Sequence, residues 1–593
     1  MRFEVAPDVH ARVLHRREER AAEAARAHPF LHTLADPPVL AVHDVPEIDH
    51  VTRVESGLVG LGLVKQEFAG DAREIRSLWP KRKCRYVLGG CCVTEEIDAA
   101  KAPGCRVSTA SYMASMLRPE IIRDLELARH GLKMIAANPT VQAVMPDGIV
   151  LPWWSDAARM RELLTRFAPA DCERFLSLEH GLAGLARHLE PLFMQAPPDM
   201  EKDGLAGLAE LVRFALKFRG IRGREISDLV AFSTGSLGEF LDRRLDSPHL
   251  KSLVLSNSLY GKHGGPYDAG TLFGLLFHLL GGGAEAKQGF VGHVMGGMGA
   301  ITQAIAAACA AQGVELRTSA PVAQVRIRDG RADGVVLEDG SEVDANLVVS
   351  NADPRRTFLT LVPSSELAPE FLAAVRGIKM DGPCGKLNLV LSEEPKLEGG
   401  DPAADALQRA QFTLVPWLAG AQHAYGEARR GRIADELWID CLVPSLLDPS
   451  LVTKNRHVMT CFVQYLPYRF SGSDWSLERE RLERQLLKQI ARFVPAVERS
   501  LVAARLYTPL DLENVFGITE GNIFHGDLRP DQLFFMRPLP GHARYATPIR
   551  ALYLCGAGTH PGGGVTGAPG FNAATRILGD LKRDRSLRAG SRS

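Results

Sequence analysis

Seven glycines fall between Gly556 and Gly570, in the stretch LYLCGAGTHPGGGVTGAPGFNAATRILGDL. Glycine lets a backbone approach a ligand closely and adopt positive φ. Successive N–H groups at such turns form anion-binding nests, and the start of the following helix adds partial positive charge. A cofactor with a pyrophosphate suits this arrangement. A flavin gains twice, because its reduced ring also carries negative charge, and a helix end aimed at that charge stabilises it by about 1 kcal/mol. Glycines ordered in regular structure cost roughly 0.5–1 kcal/mol each, so a loop without a ligand has little reason to keep so many. Glycine richness alone does not separate FAD from NAD or another nucleotide.

A second group of reactive types is His525, Asp527, Gln532 and Arg537, in NIFHGDLRPDQLFFMRP. His525 could serve as acid or base, since an unperturbed imidazole titrates near neutrality; the alternative is a structural loop histidine. Asp527, two residues on, would orient His525 only if the loop brought them together. His560 lies inside the glycine loop and would bond backbone there. No Ser-His-Asp order and no HExxH pattern is present. The ten cysteines show no CxxC and no zinc-ligand spacing, so no metal is expected. Adjacent Cys91 and Cys92 suit a structural disulfide poorly, which favours a reducing, cytoplasmic setting. Cys555 follows an apolar strand and reads as buried filler.

The elements that must position these groups are partly legible. A strand at Ala551–Leu554 feeds the glycine loop, and a helix from about Phe571 to Lys582 leaves it. Gly-Gly-Met-Gly at 296–299 precedes a helix closed by Gly313, then a strand at Val314–Leu316. Ala323, Val325 and Ile327 alternate with polar residues at strand period. Asp329-Gly330 and Asp339-Gly340 read as hairpin turns, and Leu347–Ser350 as another strand. Pro119 opens a helix with Ile121, Ile122, Leu125 and Ala128 on one face and Gly131 at its end. Residues 155–290 read as mostly helical, and 355–545 as mixed. Residues 1 to about 86 show no clean strand pattern.

Charge is balanced, 70 basic against 70 acidic residues, which gives no basic face for nucleic acid. The clusters Arg16–Arg20 and Lys81–Arg85 read as solvated surface. The first twenty residues lack an apolar signal core, and the apolar run Thr271–Leu280 is too short for a bilayer. The expectation is a soluble protein or, at most, a peripheral membrane contact.

Four segments resemble the phytoene desaturase and carotenoid oxidoreductase family, on its non-carotenoid branch of pyridine nucleotide-disulfide oxidoreductase domain-containing proteins. They are VLGGCCVTEE (87–96) with SYMASMLRPEI (111–121), GGMGAITQAI (296–305), NIFHGDLRPDQLFFMRP (522–538) and LYLCGAGTHPGGGVTGAPG (552–570). The resemblance implies an α/β fold: a glutathione-reductase-like Rossmann FAD domain of discontinuous segments (87–120, 285–355, 545–585). A mixed helical and β substrate domain, of α+β type (121–284, 356–544), is inserted; residues 586–593, polar in composition, read as a disordered tail. It implies FAD as cofactor, with Val322 on the adenine side and Gly556, Ala557 and Gly558 by the ribityl-phosphate. Gly564, Val565, Thr566 and Gly567 would lie toward the flavin ring, Gly89 and Gly90 would touch the cofactor from the N-terminal piece, and His525 would face the substrate. It suggests that TLFGLLFHLL, with Trp153 and Trp154, lines an apolar tunnel, although such residues more often form core.

The implied activity is an FAD-dependent oxidoreductase of desaturase or dehydrogenase type, moving hydride from a small apolar substrate to flavin N5, with a quinone or oxygen as electron acceptor. Two alternatives stand beside it: a non-catalytic or FAD-deficient interaction protein, and a flavin-dependent isomerase. The chain departs from the family before Tyr86. Counting back, the GxGxxG turn belongs at 60–65, where Gly60 and Gly62 match but Lys65 replaces the third glycine. Lys83 stands in place of the ribose-binding acid, and lysine cannot accept the hydroxyl hydrogen bonds. Either residues 1–86 are a frame or start artefact joined to a family-like chain, the favoured reading, or they are a divergent segment that binds FAD weakly.

Overall fold

The strands expected from alternation and short apolar runs assemble into separate sheets. The structure is a computed structural model that describes residues 61–64, 84–86, 92–199, 204–217, 223–280, 292–401 and 403–583. All of them belong to one compact unit, Glu55–Ser593. A five-stranded sheet runs in the order Leu552–Leu554, Leu347–Ser350, Leu61–Val64, Cys84–Tyr86, Glu315–Leu316. The outer pairs are parallel. Leu61–Val64 is antiparallel to both its neighbours.

That last pairing corrects the expectation for 60–65. Gly62 lies within a strand and not in a turn. A strand–helix–strand crossover requires parallel strands, and Leu61–Val64 and Cys84–Tyr86 are not. The helix Ala568–Arg583 packs Ile577 and Leu581 onto Leu347 and Tyr553 of this sheet. It starts three residues earlier than Phe571, because the Thr566 hydroxyl accepts from Ala568 N at 3.1 Å and Pro569 is tolerated in a first turn.

The meander Val322–Arg328, Arg331–Leu337, Glu342–Asp344 forms as its turns predict. Asp329 and Gly330 both take positive φ, 49° and 68°, as a tight two-residue hairpin demands. The N-terminal helix is shorter than its pattern: Pro119–Asp124 is helical, and turns continue to Gly131.

The second large sheet has seven strands, ordered Leu501–Tyr507, Cys384–Leu391, His457–Gln464, Trp438–Leu442, Gln411–Leu414, Val141–Val144, Val150–Trp153. Leu387, Leu389 and Leu391 alternate onto one face and join the largest apolar cluster. The helices between 157 and 279 complete that cluster, as the helical reading of this region expected. Trp153, Trp154, Leu272, Leu275, Leu276 and Phe277 all sit in it, so most of the proposed tunnel run is core. Among the described residues, no helix is long and apolar enough to cross a membrane.

Candidate functional site

The strand Leu552–Leu554 delivers the chain into the glycine loop while Cys555 N still bonds Ser350 O at 2.8 Å. From there the backbone stops pairing. Of the N–H groups from 556 to 567, only Thr559 finds an acceptor among the described residues, Gly556 O at 3.0 Å. Yet Gly558, His560, Gly562, Gly563 and Thr566 are buried. Buried amides are nearly always paired, so this row is built to donate to something other than the chain. A Cβ on Gly556 would strike Asn351 O, and one on Gly558 would strike the Pro354 ring. The loop therefore lies flush against its neighbours on the side where side chains would project. Val565 sits at φ 58°, a region that β-branched residues avoid and that concentrates at ligand sites.

The other glycine-rich helix start makes the contrast. Gly296 N donates to Asp448 Oδ2, Met298 N to Ser108 Oγ and Gly299 N to Thr94 Oγ1, at 2.5, 3.0 and 2.9 Å. The chain has satisfied that turn with its own side chains. The loop at 556–567 is left open, which fits the phosphates and ring edge of a flavin.

Its supports are side chains aimed at carbonyls. Buried Arg537 donates to Phe524 O, Gly526 O, Asp527 O, Gln532 O and Ala557 O, binding the 524–537 segment to the glycine loop. Gln532 clamps the same segment to both backbone groups of Lys379. Tyr545 Oη donates to His560 O at 2.9 Å. His560 Nε2 lies 2.9 Å from Leu192 O, and burial holds its pKa down at about 4, so the neutral ring donates there. His560 is thus the backbone-bonding residue the sequence suggested.

His525 backs onto the loop: its carbonyl lies 3.1 Å from where a Gly558 Cβ would stand. Its φ is 56°, its Nδ1 has no partner, and burial lowers its pKa, opposed by Asp353. Asp527 does not orient it. Asp527 Oδ1 instead accepts from His263 N at 3.4 Å, and burial raises its carboxyl pKa against the pull of His263 and Lys262.

The structure adds a group that sequence reasoning missed. Across the seven-stranded sheet, Tyr507, Lys386, Phe462, Asp440 and Thr413 stand in register on one row. They share the face opposite the leucines. Lys386 Nζ is buried with no hydrogen-bond partner and lies 3.9 Å from the centre of the Tyr112 ring. Burial pushes its pKa down to about 7. Asp440 accepts from Tyr112 Oη at 2.5 Å and Thr413 Oγ1 at 2.7 Å, and burial pushes its pKa up to about 6. Tyr260 adjoins the same set, its ring 5.6 Å from Trp438 and 6.4 Å from Phe462. Ile523, two residues before His525, joins Tyr112, Tyr260 and Phe462 in one apolar cluster, and a Cβ on Gly563 would stand 2.8 Å from the Phe524 ring.

Tyr112, Tyr260, His278 and His525 are all desolvated, yet each keeps accessible surface. The segment carrying Ile523, Phe524 and His525 lies against both the glycine loop and the apolar cluster at the polar face of the sheet. The signal for that face was present in CGKLNLVL, where Lys386 and Asn388 alternate with leucines, but such a pattern ordinarily means a solvated face.

Residues 153–578 match the family of flavin containing amine oxidoreductases. The chain is 34% identical over 519 residues to the pyridine nucleotide-disulfide oxidoreductase domain-containing protein 2 of Mus musculus, covering 84% of this chain and 88% of that one. The chain belongs to the flavin containing amine oxidoreductase family.

A more distant relative in sequence is the neurosporene-forming phytoene desaturase of Rhodobacter capsulatus, 24% identical over 73% of this chain and 76% of that one. A solved putrescine oxidase variant shares the fold, with a TM-score of 0.50 at 14% identity, over 84% of this chain and 92% of that one. This family member is an FAD-dependent oxidoreductase with an α/β FAD-binding fold, close in sequence to the branch its four segments indicated. Within it, Val322 opens the meander opposite Leu337 and is buried in the cluster beneath the five-stranded sheet. Gly89 and Gly90 lie outside the described residues. Cys555 carries a thiol that burial pushes up to about 12, as filler would be.

Proposed function

We propose that this chain dehydrogenates a small apolar substrate between the glycine loop and the polar sheet face. The observation that carries the reading is the row of unpaired amides from 556 to 567, together with a buried and partly neutral amine, Lys386, on the polar sheet face. Gly556, Ala557 and Gly558 would hold the cofactor's phosphate side, and Gly564, Val565, Thr566 and Gly567 its ring, with Val322 toward the adenine. The bound flavin supplies a two-electron acceptor, taking hydride at N5.

A dehydrogenation also releases a proton, and the chain must take it. Lys386, neutral in part near pH 7, holds that proton on Nζ. Asp440 and the Tyr112 ring face stabilise the resulting ammonium. His525 is the second candidate for the same proton, from the loop side. The apolar clusters around these groups limit the access of water. A quinone or dioxygen would serve as the electron acceptor. The apolar substrate class is supported by the desaturase relative, whose name specifies phytoene.

The test is anaerobic reduction of the purified yellow protein by terpenoid and other apolar candidates, followed by its flavin absorbance. Bleaching by a substrate supports the proposal; a flavin reducible by dithionite but by no candidate substrate counts against it. One observation favours a second reading. The antiparallel strands at 61–64 and 84–86 lack the crossover that grips an adenine nucleotide. A chain that binds FAD weakly, or has lost it, would purify colourless and take up no added FAD.

A further inference from the structure

Helix Cys172–Phe193 ends against the glycine loop. The last carbonyls of a helix have no partner within it. Here two side chains, one from the loop and one from the helix that follows it, supply the donors. His560 Nε2 lies 2.9 Å from Leu192 O, and Asn572 Nδ2 donates to Phe193 O at 2.8 Å. Both residues are buried, exposed by only 4% and 2%. Bonding to consecutive carbonyls brings the two side chains together.

These two bonds fix what the other end of each side chain can do. A carbonyl only accepts, so the neutral imidazole of His560 carries its proton on Nε2 and keeps a lone pair on Nδ1. For the same reason the amide nitrogen of Asn572 faces Phe193 O, and Oδ1 is left as an acceptor. Both His560 Nδ1 and Asn572 Oδ1 are buried, and neither has a hydrogen-bond partner among the described residues. A buried polar atom left unpaired is costly. Two neighbouring acceptors in that state, beside a row of unpaired amides, point to a ligand that brings donors as well as acceptors.

A flavin nucleotide does both. Its phosphate oxygens and ring carbonyls accept, while its ribityl hydroxyls and one imide N–H donate. His560 falls between Gly556–Gly558, on the phosphate side of the proposed site, and Gly564–Gly567, on the ring side. The ribityl chain is the part of the cofactor that joins those two ends. We propose that His560 Nδ1 and Asn572 Oδ1 form an acceptor pair that binds ribityl hydroxyls of the flavin. The inference rests on the placement of the cofactor at the glycine loop, and it is independent of the substrate and of the group that takes its proton.

The experiment is equilibrium binding of FAD, and of FAD analogues each lacking one ribityl hydroxyl, to the full chain freed of flavin. Wild type is expected to bind at least one analogue about fivefold or more weakly than FAD. That ratio should fall to about one in His560→Leu or Asn572→Ala, because the acceptor is gone. Reading the ratio cancels any loosening of the loop that weakens all flavins alike. His560→Gln, whose amide can donate to Leu192 O and still accept, is expected to keep the preference. Should His560→Leu misfold, Asn572→Ala carries the test. Equal ratios in wild type and a folded variant overturn the inference. So does a wild type that discriminates only against FAD methylated at the imide nitrogen, since the donor is then the ring. Gly567→Leu separates the two levels of the argument. A Gly567→Leu protein that keeps its flavin overturns the placement of the cofactor, whereas loss of flavin there with unchanged ratios at His560 and Asn572 overturns the acceptor pair alone. A wild type that takes up no flavin overturns both.

Discussion

Lys386 is a buried amine without a hydrogen-bond partner among the described residues, and strongly perturbed amines of this kind cluster at functional sites. Its pKa is about 7 in the fold and about 10.4 in an unfolded chain. The unfolded state therefore binds more protons between those values, and stability rises as pH rises through that window. Lys386→Met should abolish that rise and stabilise the protein at pH 7 by about 1–3 kcal/mol, measured by urea unfolding. The same variant should keep its flavin and lose substrate-dependent flavin reduction. In wild type, the reduction rate should rise with pH through about 7, because the neutral amine is the form that accepts a proton. A variant with normal rates and an unchanged pH profile would shift the proton role to His525. Gly567 gives a second residue-scale prediction. At φ 74°, with Ile121 2.9 Å from a would-be Cβ, Gly567→Leu should end flavin retention, read from the absorbance of the purified protein.

The loop–helix element depends on one cation. Arg537 reaches five carbonyls on two segments, and no carboxylate pairs with it in hydrogen-bond reach. Burial lowers its pKa to about 10, which still leaves it charged at neutral pH. Arg537→Met should cost about 3 kcal/mol or more, since several buried carbonyls lose their donor at once. Flavin content should fall with it, because Ala557 O is one of the five anchors. Limited proteolysis would show whether the 524–537 segment opens first. Cleavage elsewhere, with the flavin retained, would mean the carbonyl fan is not what holds the loop.

Across the molecule, three desolvated histidines among the described residues set an acid limit. Burial holds His278, His293 and His560 each at about 4. An unfolded histidine titrates near 6.5, so the unfolded chain takes up protons between about 6.5 and 4. Stability is lost as pH falls across that window. The urea midpoint should drop between pH 7 and pH 5. His293 has no partner on either ring nitrogen, so His293→Phe should shrink that drop without destabilising the protein at pH 7. The same scale governs cofactor affinity. With 61–64 and 84–86 antiparallel, the proposed site would hold FAD mainly from the C-terminal side. Added FAD should therefore raise the melting temperature in a concentration-dependent way.

Local chemistry made part of this legible in advance. Glycine's freedom at 556–570, the Asp-Gly turns of the meander and the apolar runs at Leu347–Ser350 and Leu552–Leu554 depend on neighbours in the chain, so the sequence alone determined them and the nucleotide-type cofactor they imply. Pairing partners depend on residues hundreds of positions away. Only the tertiary structure decided that Gly62 is in an antiparallel strand, that Asp527 turns from His525 toward His263, and that Gly296–Gly299 is satisfied internally. It also decided that Lys386 and Asp440, 54 positions apart in sequence, stand on one buried row with a strand between them. A polar residue in an alternating strand reads as solvated until another layer is laid over it, and that layer, the Thr109–Tyr112 segment, comes from the far end of the chain.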